Sequence, residues 1–328
     1  MAHEIELNDS LFITRTPAWH NLGTVVQEAP TSDEALRIAG LDWEVGQSPV
    51  FKREQFGFGI FDDGTTAPSY GFKEIDGYRV NYRSDDGTVL GVVGDGYRIV
   101  QNREAFAFTD ALLGEGVRYE TAGSLRGGRR VWMLARLPET KRILGDKVEP
   151  YLVFTNGHDG RNAVKVAMTP IRVVCMNTLN MALDGAIRAW ATNHQGDIKG
   201  KLQDAERTLQ LSQQYMTTLA DEAERLADIE VTKTMLAELT VDLLPLPKDV
   251  RRHDLVKTMR QEFLCRHNSA PDLARFRGTA WGFVNAVADF ADHREPRRKT
   301  DSYADRHFER AIAGHNLLDR AMELVKAA

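Results

Sequence analysis

Apolar positions recur along the chain with two different periods, and the change from one to the other divides the sequence. Up to about residue 195, short runs alternate with a period of two, the pattern of strands with one buried face. "DWEVGQSPVFKR", "FGFGIF", "YRVNYR" and "TVLGVVG" are predicted as separate short strands, because Gly, Pro and Asp punctuate them. The clearest alternation is in "VRYETAGSLRGGRRVWMLARL". There Val131, Met133, Ala135 and Leu137 interleave with Arg130, Trp132, Leu134 and Arg136 after a turn at Gly127–Gly128. This predicts a β-hairpin. "YLVFTNG" and "AVKVAMTPIRVVC" read as two more strands, the second running into a helix from about Asn177. Two helices interrupt the strands. One is "TSDEALRIAG"; the other is "NREAFAFTDALLGEG", with Asn102 as cap and Phe106, Ala107, Ala111 and Leu112 as the expected buried stripe.

From about residue 197 the period becomes helical. Leu202, Ala205, Leu209, Met216, Leu219, Ala223 and Leu226 form one stripe of a long amphipathic helix. "VTKTMLAEL", "RHDLVKTMRQEFL", "TAWGFVNAVADFADH" and "YADRHFERAIAGHNLLDRAMELV" continue as helices, joined through "LLPLPKD" and "HREPRRKT". The expected class is α+β. Residues 1–195 form a β-hairpin-rich antiparallel sheet with packed helices and carry a basic hairpin region at 117–172. Residues 196–328 form a mainly α-helical part packed on the first.

Composition adds little to this picture. An apolar content of 42% and a charged content of 27% describe a soluble globular chain. No apolar run approaches the roughly 18–20 residues that cross a membrane. The opening "MAHEIELNDS" lacks the basic-then-apolar order of a signal peptide. The two cysteines, Cys175 and Cys265, make no disulfide framework, so a reducing cytoplasm without a membrane partner is expected.

Charge changes the picture more. The net charge is −5, but residues 1–116 carry −10 and residues 117–172 carry +6. A positive band in an acidic chain suits a polyanion. Arg126, Arg129 and Arg130 cluster at the hairpin tip, and Arg136 lies along it. Arg161, Lys165 and Arg172 belong to the next β-unit, where alternation is expected to bring them to a common side. Trp132 and Tyr119 are the rings on which bases would stack. A second basic zone, Arg251, Arg252, Lys257 and Arg260 with "REPRRK", reads either as solvated helix faces or as a secondary DNA contact.

The stretch "NGHDGRNAVKVAMTPIRVVCMNTLN" also collects residue types used in catalysis. Cys175 as a nucleophile needs a base such as His158 or His194 and an orienting group such as Asn177. Its setting behind Ile171, Val173 and Val174 favours packing instead. No CxxC, HExxH or EF-hand pattern is present, so no metal is expected. "GVVGDGYR" has neither a P-loop lysine nor GxGxxG spacing, and no cofactor is expected. "GHDGRN" reads as a turn.

"PAWHNLG", "GYRIVQN", "TAGSLRGGRRVWMLARL", "TNGHDG", "TPIRVVCMNTLN" and "GTAWGFVNAV" run in order from about residue 17 to about residue 290. Together they resemble the phage/plasmid-like proteins of the family called domain of unknown function 932. The chain departs from that pattern at "ATNHQGD", around His194, where the family often has a basic-His-Thr block. The resemblance implies a phage, prophage or plasmid origin and the cytoplasm of a bacterial host, and it brings no catalytic residues. Mobile elements commonly encode nonenzymatic, oligomeric strand-annealing proteins of the RecT, lambda Beta and Erf kind. By that fold-level analogy, the expected function is single-stranded DNA binding, with strand annealing in recombination. A homo-oligomer is expected, working beside a host or phage replication or recombination protein. Two other readings stand beside it: an interaction protein targeting a host defence or replication factor, and a nucleotide- or nucleic-acid-processing enzyme centred on His158, Asp159 and Cys175.

Overall fold

The structure is a computed structural model. It describes residues 11–14, 24–26, 30–60, 62–113, 118–137, 140–172, 177–178, 189–197, 200, 212–294 and 316–327. Strands and helices alternate in the first part: β1 (Leu11–Thr14), β2 (Thr24–Val26), α1 (Ser32–Ile38), β3 (Val45–Ile60), β4 (Thr66–Arg83), β5 (Val89–Gly94) and α2 (Asn102–Leu113). Then come β6 (Arg118–Leu125), β7 (Arg130–Arg136), β8 (Lys141–Ile143), β9 (Asp146–Gly157), β10 (Val164–Arg172), β11 (Asn177–Thr178) and β12 (Ala189–Thr192). The described remainder is helical: α3 (Ser212–Ala227), α4 (Lys233–Leu243), α5 (His253–Ser269), α6 (Ala280–His293) and α7 (Asn316–Ala327). The protein is of the α+β class.

Nine strands form the large sheet, in the order β11-β10-β9-β7-β6-β1-β2, with β12 on β10 and β8 on β9. All pairs are antiparallel except β1 with β2. Strand β9 has neighbours on both edges and is buried without a break from Val148 to Gly157. Ala122, Met133, Phe154 and Val166 lie in register across β6, β7, β9 and β10. This row carries the first core, which Leu36 of α1 and Phe106 of α2 close from above. The second core joins Ile143, Val148 and Met168 of the sheet to the C-terminal helices. At its centre is α6, apolar on nearly every side because α3, α5 and α7 surround it. Phe263 of α5 meets Phe283 and Phe290 edge-on, at 5.7 and 5.8 Å between ring centroids.

The predicted hairpin is present as β6 and β7, and its tip has positive φ at Arg126, Gly127 and Gly128. Other expectations need correction. The helix expected from Asn177 is not there at its start: Asn177 and Thr178 form β11, which folds back on Arg172 and Ile171. In α2 the buried positions among the described residues are Asn102, Ala105, Phe106 and Thr109, whereas Ala107 and Ala111 are exposed; the Leu112 side chain lies outside what is described. Of the long helical stripe, Met216, Leu219, Ala223 and Leu226 are buried in α3; Leu202, Ala205 and Leu209 lie outside the described residues.

The largest departure concerns β3 and β4. Val45–Arg53 of "DWEVGQSPVFKR" and Phe56–Ile60 of "FGFGIF" belong to one 16-residue strand, and "YRVNYR" ends an 18-residue one. Their partner β5 reaches only Tyr78–Tyr82, so residues 51–60 and 66–74 make a two-stranded ribbon. Pro68 and the glycines fit there because no third strand needs their N–H groups or side chains. Bulges near Pro49 and Phe56 take up the register shifts.

Candidate functional site

The register of the large sheet sets Arg130 beside Gly157 and Thr155 beside Lys165. The β6–β7 tip and the β9–β10 turn therefore lie side by side at one end of the sheet. The His158 N–H donates to the Arg129 carbonyl at 2.8 Å, joining the two turns. Asp159 then folds its own turn: Oδ1 accepts from the Arg161 N–H at 2.9 Å and from the Asn162 amide at 3.4 Å. The close packing requires glycine at positions 91, 157 and 160, where a Cβ would meet a neighbour within 3 Å. A Cβ on Gly160 would meet Val93 of β5 at 2.9 Å, and one on Gly91 would meet the Asp159 backbone at 2.7 Å.

Beneath these turns is a knot of buried polar groups. Asn102 donates through Nδ2 to the Leu41 carbonyl at 3.0 Å. Its Oδ1 is thus the acceptor facing His158 Nε2 at 3.0 Å, which assigns the imidazole hydrogen to Nε2. Asn81 donates to the His158 carbonyl at 2.8 Å. Trp43 meets the imidazole edge-on at 5.6 Å, with Arg83 over the indole at 4.7 Å. Tyr97 donates its hydroxyl to the Gly157 carbonyl at 2.5 Å and stacks on His194 at 4.5 Å. His194 Nδ1 donates to the Arg98 carbonyl at 2.9 Å, and the Arg98 N–H donates back to the His194 carbonyl at 2.8 Å.

Burial dominates the electrostatics of this knot. It pushes His158 down to about 3, and the neighbouring His194 adds to the effect. Burial also lowers His194, against the hydrogen bond to Arg98 and the charge of Asp159. Both rings are neutral at pH 7. Burial, helped by Asp159, raises Tyr97 far above the ordinary phenol range. His158 Nδ1, His194 Nε2 and Asn156 Oδ1 are buried acceptors without a donor among the described residues, a condition that ordered water normally relieves. His158 is 0% exposed, so its ring offers no face to a substrate. Its role is to tie α2 and the three-stranded sheet to the two turns.

The predicted site residues divide sharply. Arg129 and Arg161 are exposed, and Arg126 is half-buried at the tip. Lys165 is half-buried in β10. Arg172 closes β10 against Asn177; its side chain lies outside the described residues. Arg130 is buried at 3% exposure, and Trp132 at 6%. Tyr119 is fully buried under α2, donating to Asp110 at 2.8 Å. Neither ring has a free face for a base, which corrects the stacking expectation. Arg136 is held on the sheet by Glu120 at 3.3 Å and Glu149 at 3.6 Å. Cys175 lies outside the described residues.

One cation at this end escaped the sequence reading. Arg98 is exposed on the loop between β5 and α2, pinned by its backbone exchange with His194. Its block, "GYRIVQN", is legible as a motif, but nothing in it says that it folds beside residues 157–161. Among the described residues, the side chains of Arg98, Arg129 and Arg161 pair with no carboxylate, whereas Arg83 is bound to Asp85 at 2.5 Å. In the second basic zone Arg251 is paired with Asp249 and Lys257 with Asp254.

This is an α+β protein that gathers its polar chemistry into the turns at one end of a large sheet. The chain belongs to the family described as Domain of unknown function (DUF932), whose model matches residues 89–313. No curated protein and no solved structure matches it. The rim arginines and the buried histidines lie within the matched span, and the β3–β4 ribbon lies before it. Among the described residues, no group of three or more His, Cys, Asp or Glu is placed to hold a metal ion, and no helix is long and apolar enough to cross a membrane.

Proposed function

We propose that the rim formed by Arg98, Arg126, Arg129 and Arg161 binds single-stranded DNA through its phosphates, in the service of phage or plasmid recombination. One observation carries this reading. Arg98, Arg129 and Arg161 come from three separate segments, are all exposed, and are unpaired with any carboxylate among the described residues of an acidic protein. Guanidiniums left unpaired on turns are free to take phosphate oxygens. The rim consists of turns, and a flexible strand can follow irregularly spaced cations where a stiff duplex cannot. With Trp132 and Tyr119 buried, the contacts are to the backbone, so salt dependence is strong and base preference weak.

A titration of labelled single strands and duplexes over a range of salt tests this. Single strands are expected to bind more tightly than duplexes, and Arg129→Ala with Arg161→Ala is expected to flatten the slope of log K against log salt by roughly 1.4, at about 0.7 per lost phosphate contact. No binding at low salt, or a slope unchanged in the double variant, refutes the reading. Faster pairing of complementary strands in the presence of the protein would extend it to annealing.

A further inference from the structure

The β3–β4 ribbon has two unlike faces. Its register pairs Phe51 with Glu74, Arg53 with Phe72, Gln55 with Tyr70, Phe58 with Pro68 and Ile60 with Thr66, all on one side. The other side carries Lys52, Glu54, Lys73, Ser69 and several glycines. Phe56, at the bulge, lies on that second side over Gly71, where a Cβ would come within 2.5 Å of its ring. On the first side the apolar side chains stand in water: Phe51 is 53%, Phe58 66%, Ile60 79%, Tyr70 49% and Phe72 76% exposed.

We propose that this aromatic face is the interface between two copies of this chain. Its size supports that. At 150–250 Å² per large side chain, the five residues expose together about 650 Å², more than the roughly 300–600 Å² of the largest patch on a typical monomer. Two such faces together remove on the order of 1,300 Å², within the range of a stable interface of about 1,200–2,000 Å².

Charge selects the occupant. The aromatic face carries one cation and one anion, and both are already engaged. Arg53 lies over the Tyr70 ring at 3.8 Å, and Glu74 accepts from Arg79 at 2.8 Å. Like faces with no net charge can meet without burying an unpaired ion. A polyanion finds no such welcome. Residues 51–74 contain three basic and four acidic side chains, with Asp62 and Asp63 at the ribbon tip. Prolines at 49 and 68 and two bulges spoil the ribbon's edges for strand addition, which leaves the face as the place of contact.

Sedimentation velocity on the full chain, over a wide concentration range and at low and high salt, tests the proposal. Wild type is expected to form dimers that persist at high salt, since the contact is apolar. Phe58→Ser with Phe72→Ser is expected to sediment as a monomer while keeping its circular dichroism, because both rings are outside the cores. Lys73→Ser, on the opposite face, should assemble as wild type. A wild type that stays monomeric throughout, or a double variant that assembles unchanged, overturns the proposal. So does a monomeric wild type whose Phe58→Ser/Phe72→Ser variant loses oligonucleotide affinity, since the face would then take bases. Arg129→Ala with Arg161→Ala leaves assembly intact whether or not the rim binds DNA, so the two readings fail separately.

Discussion

Asn102 shows what a single residue's neighbours in sequence can and cannot reveal. An Asn ahead of an apolar helix is a strong cap signal, yet here its side chain is spent on Leu41 and His158, 61 and 56 residues away. The helix start is served instead by Glu104, which accepts from the Gln101 N–H at 2.9 Å. Local rules see only the helix, so they name the residue correctly and its work wrongly. Arg130 and Trp132 fail for a related reason: β7 is buried on both faces, and period-two alternation then says nothing about exposure. The role assigned to Asn102 makes a prediction. Asn102→Ala leaves the His158 N–H and the Leu41 carbonyl without this partner in a buried site, and should cost about 2–4 kcal/mol. Urea unfolding measures it; a loss no larger than that of an exposed surface substitution would mean that the knot is not holding the turns.

At the scale of elements, what was legible was what is local. The β6–β7 hairpin is written in a few consecutive residues, and its tip glycines have the positive φ the turn needs, 66° at Gly127 and 95° at Gly128. The ribbon was not legible, because Gly and Pro mark turns in most contexts, and whether a strand accepts them depends on its partners: Pro150 and Pro170 face each other inside the large sheet, and Pro68 sits where the ribbon has no third strand. The two tip glycines also differ in a testable way. At Gly127 a Cβ meets nothing within 4 Å, so Gly127→Ala costs only the left-handed backbone strain, about 1–2 kcal/mol. At Gly128 the added Cβ also reaches the Trp43 ring at 2.8 Å. Gly128→Ala should therefore be the more destabilising of the two in thermal unfolding. It should also weaken DNA binding beyond its effect on folding, because the displaced Trp43 abuts His158, which positions Arg129. Equal effects at both glycines would remove Trp43 and the histidine knot from the account of the rim.

For the whole molecule, the α+β class follows from the change of period near residue 195, but the assembly of the rim does not, since Arg98 reaches Arg129 and Arg161 only through the tertiary knot. That knot gives the molecule a sensitivity to acid with a definite sign. Above pH about 6.5 His158 is neutral in both the folded and the unfolded chain and contributes nothing to the pH dependence. As pH falls below this, the unfolded chain takes up a proton that the buried ring refuses until about pH 3. Each unit in that window removes up to about 1.4 kcal/mol per histidine. His194 and His267, also lowered chiefly by burial, add to the slope. Glu149 works lower in the range. Burial opposes its charge, but Lys147, Tyr151 and Arg136 together hold its carboxyl below the usual value, so its stabilisation is lost only as pH falls past the carboxylate range. Stability measured by urea unfolding should thus be flat between neutrality and the onset of phenol ionisation, where the raised Tyr97 takes over, and begin to fall near pH 6.5, well before carboxylates titrate. His158→Gln keeps an N–H donor for Asn102 and removes the titrating ring, so its slope between the histidine and carboxylate ranges should be shallower by up to one proton. A wild type equally stable at pH 7 and pH 5.5, or a His158→Gln variant with an unchanged slope, would show that the buried imidazole does not set the acid limit of the fold.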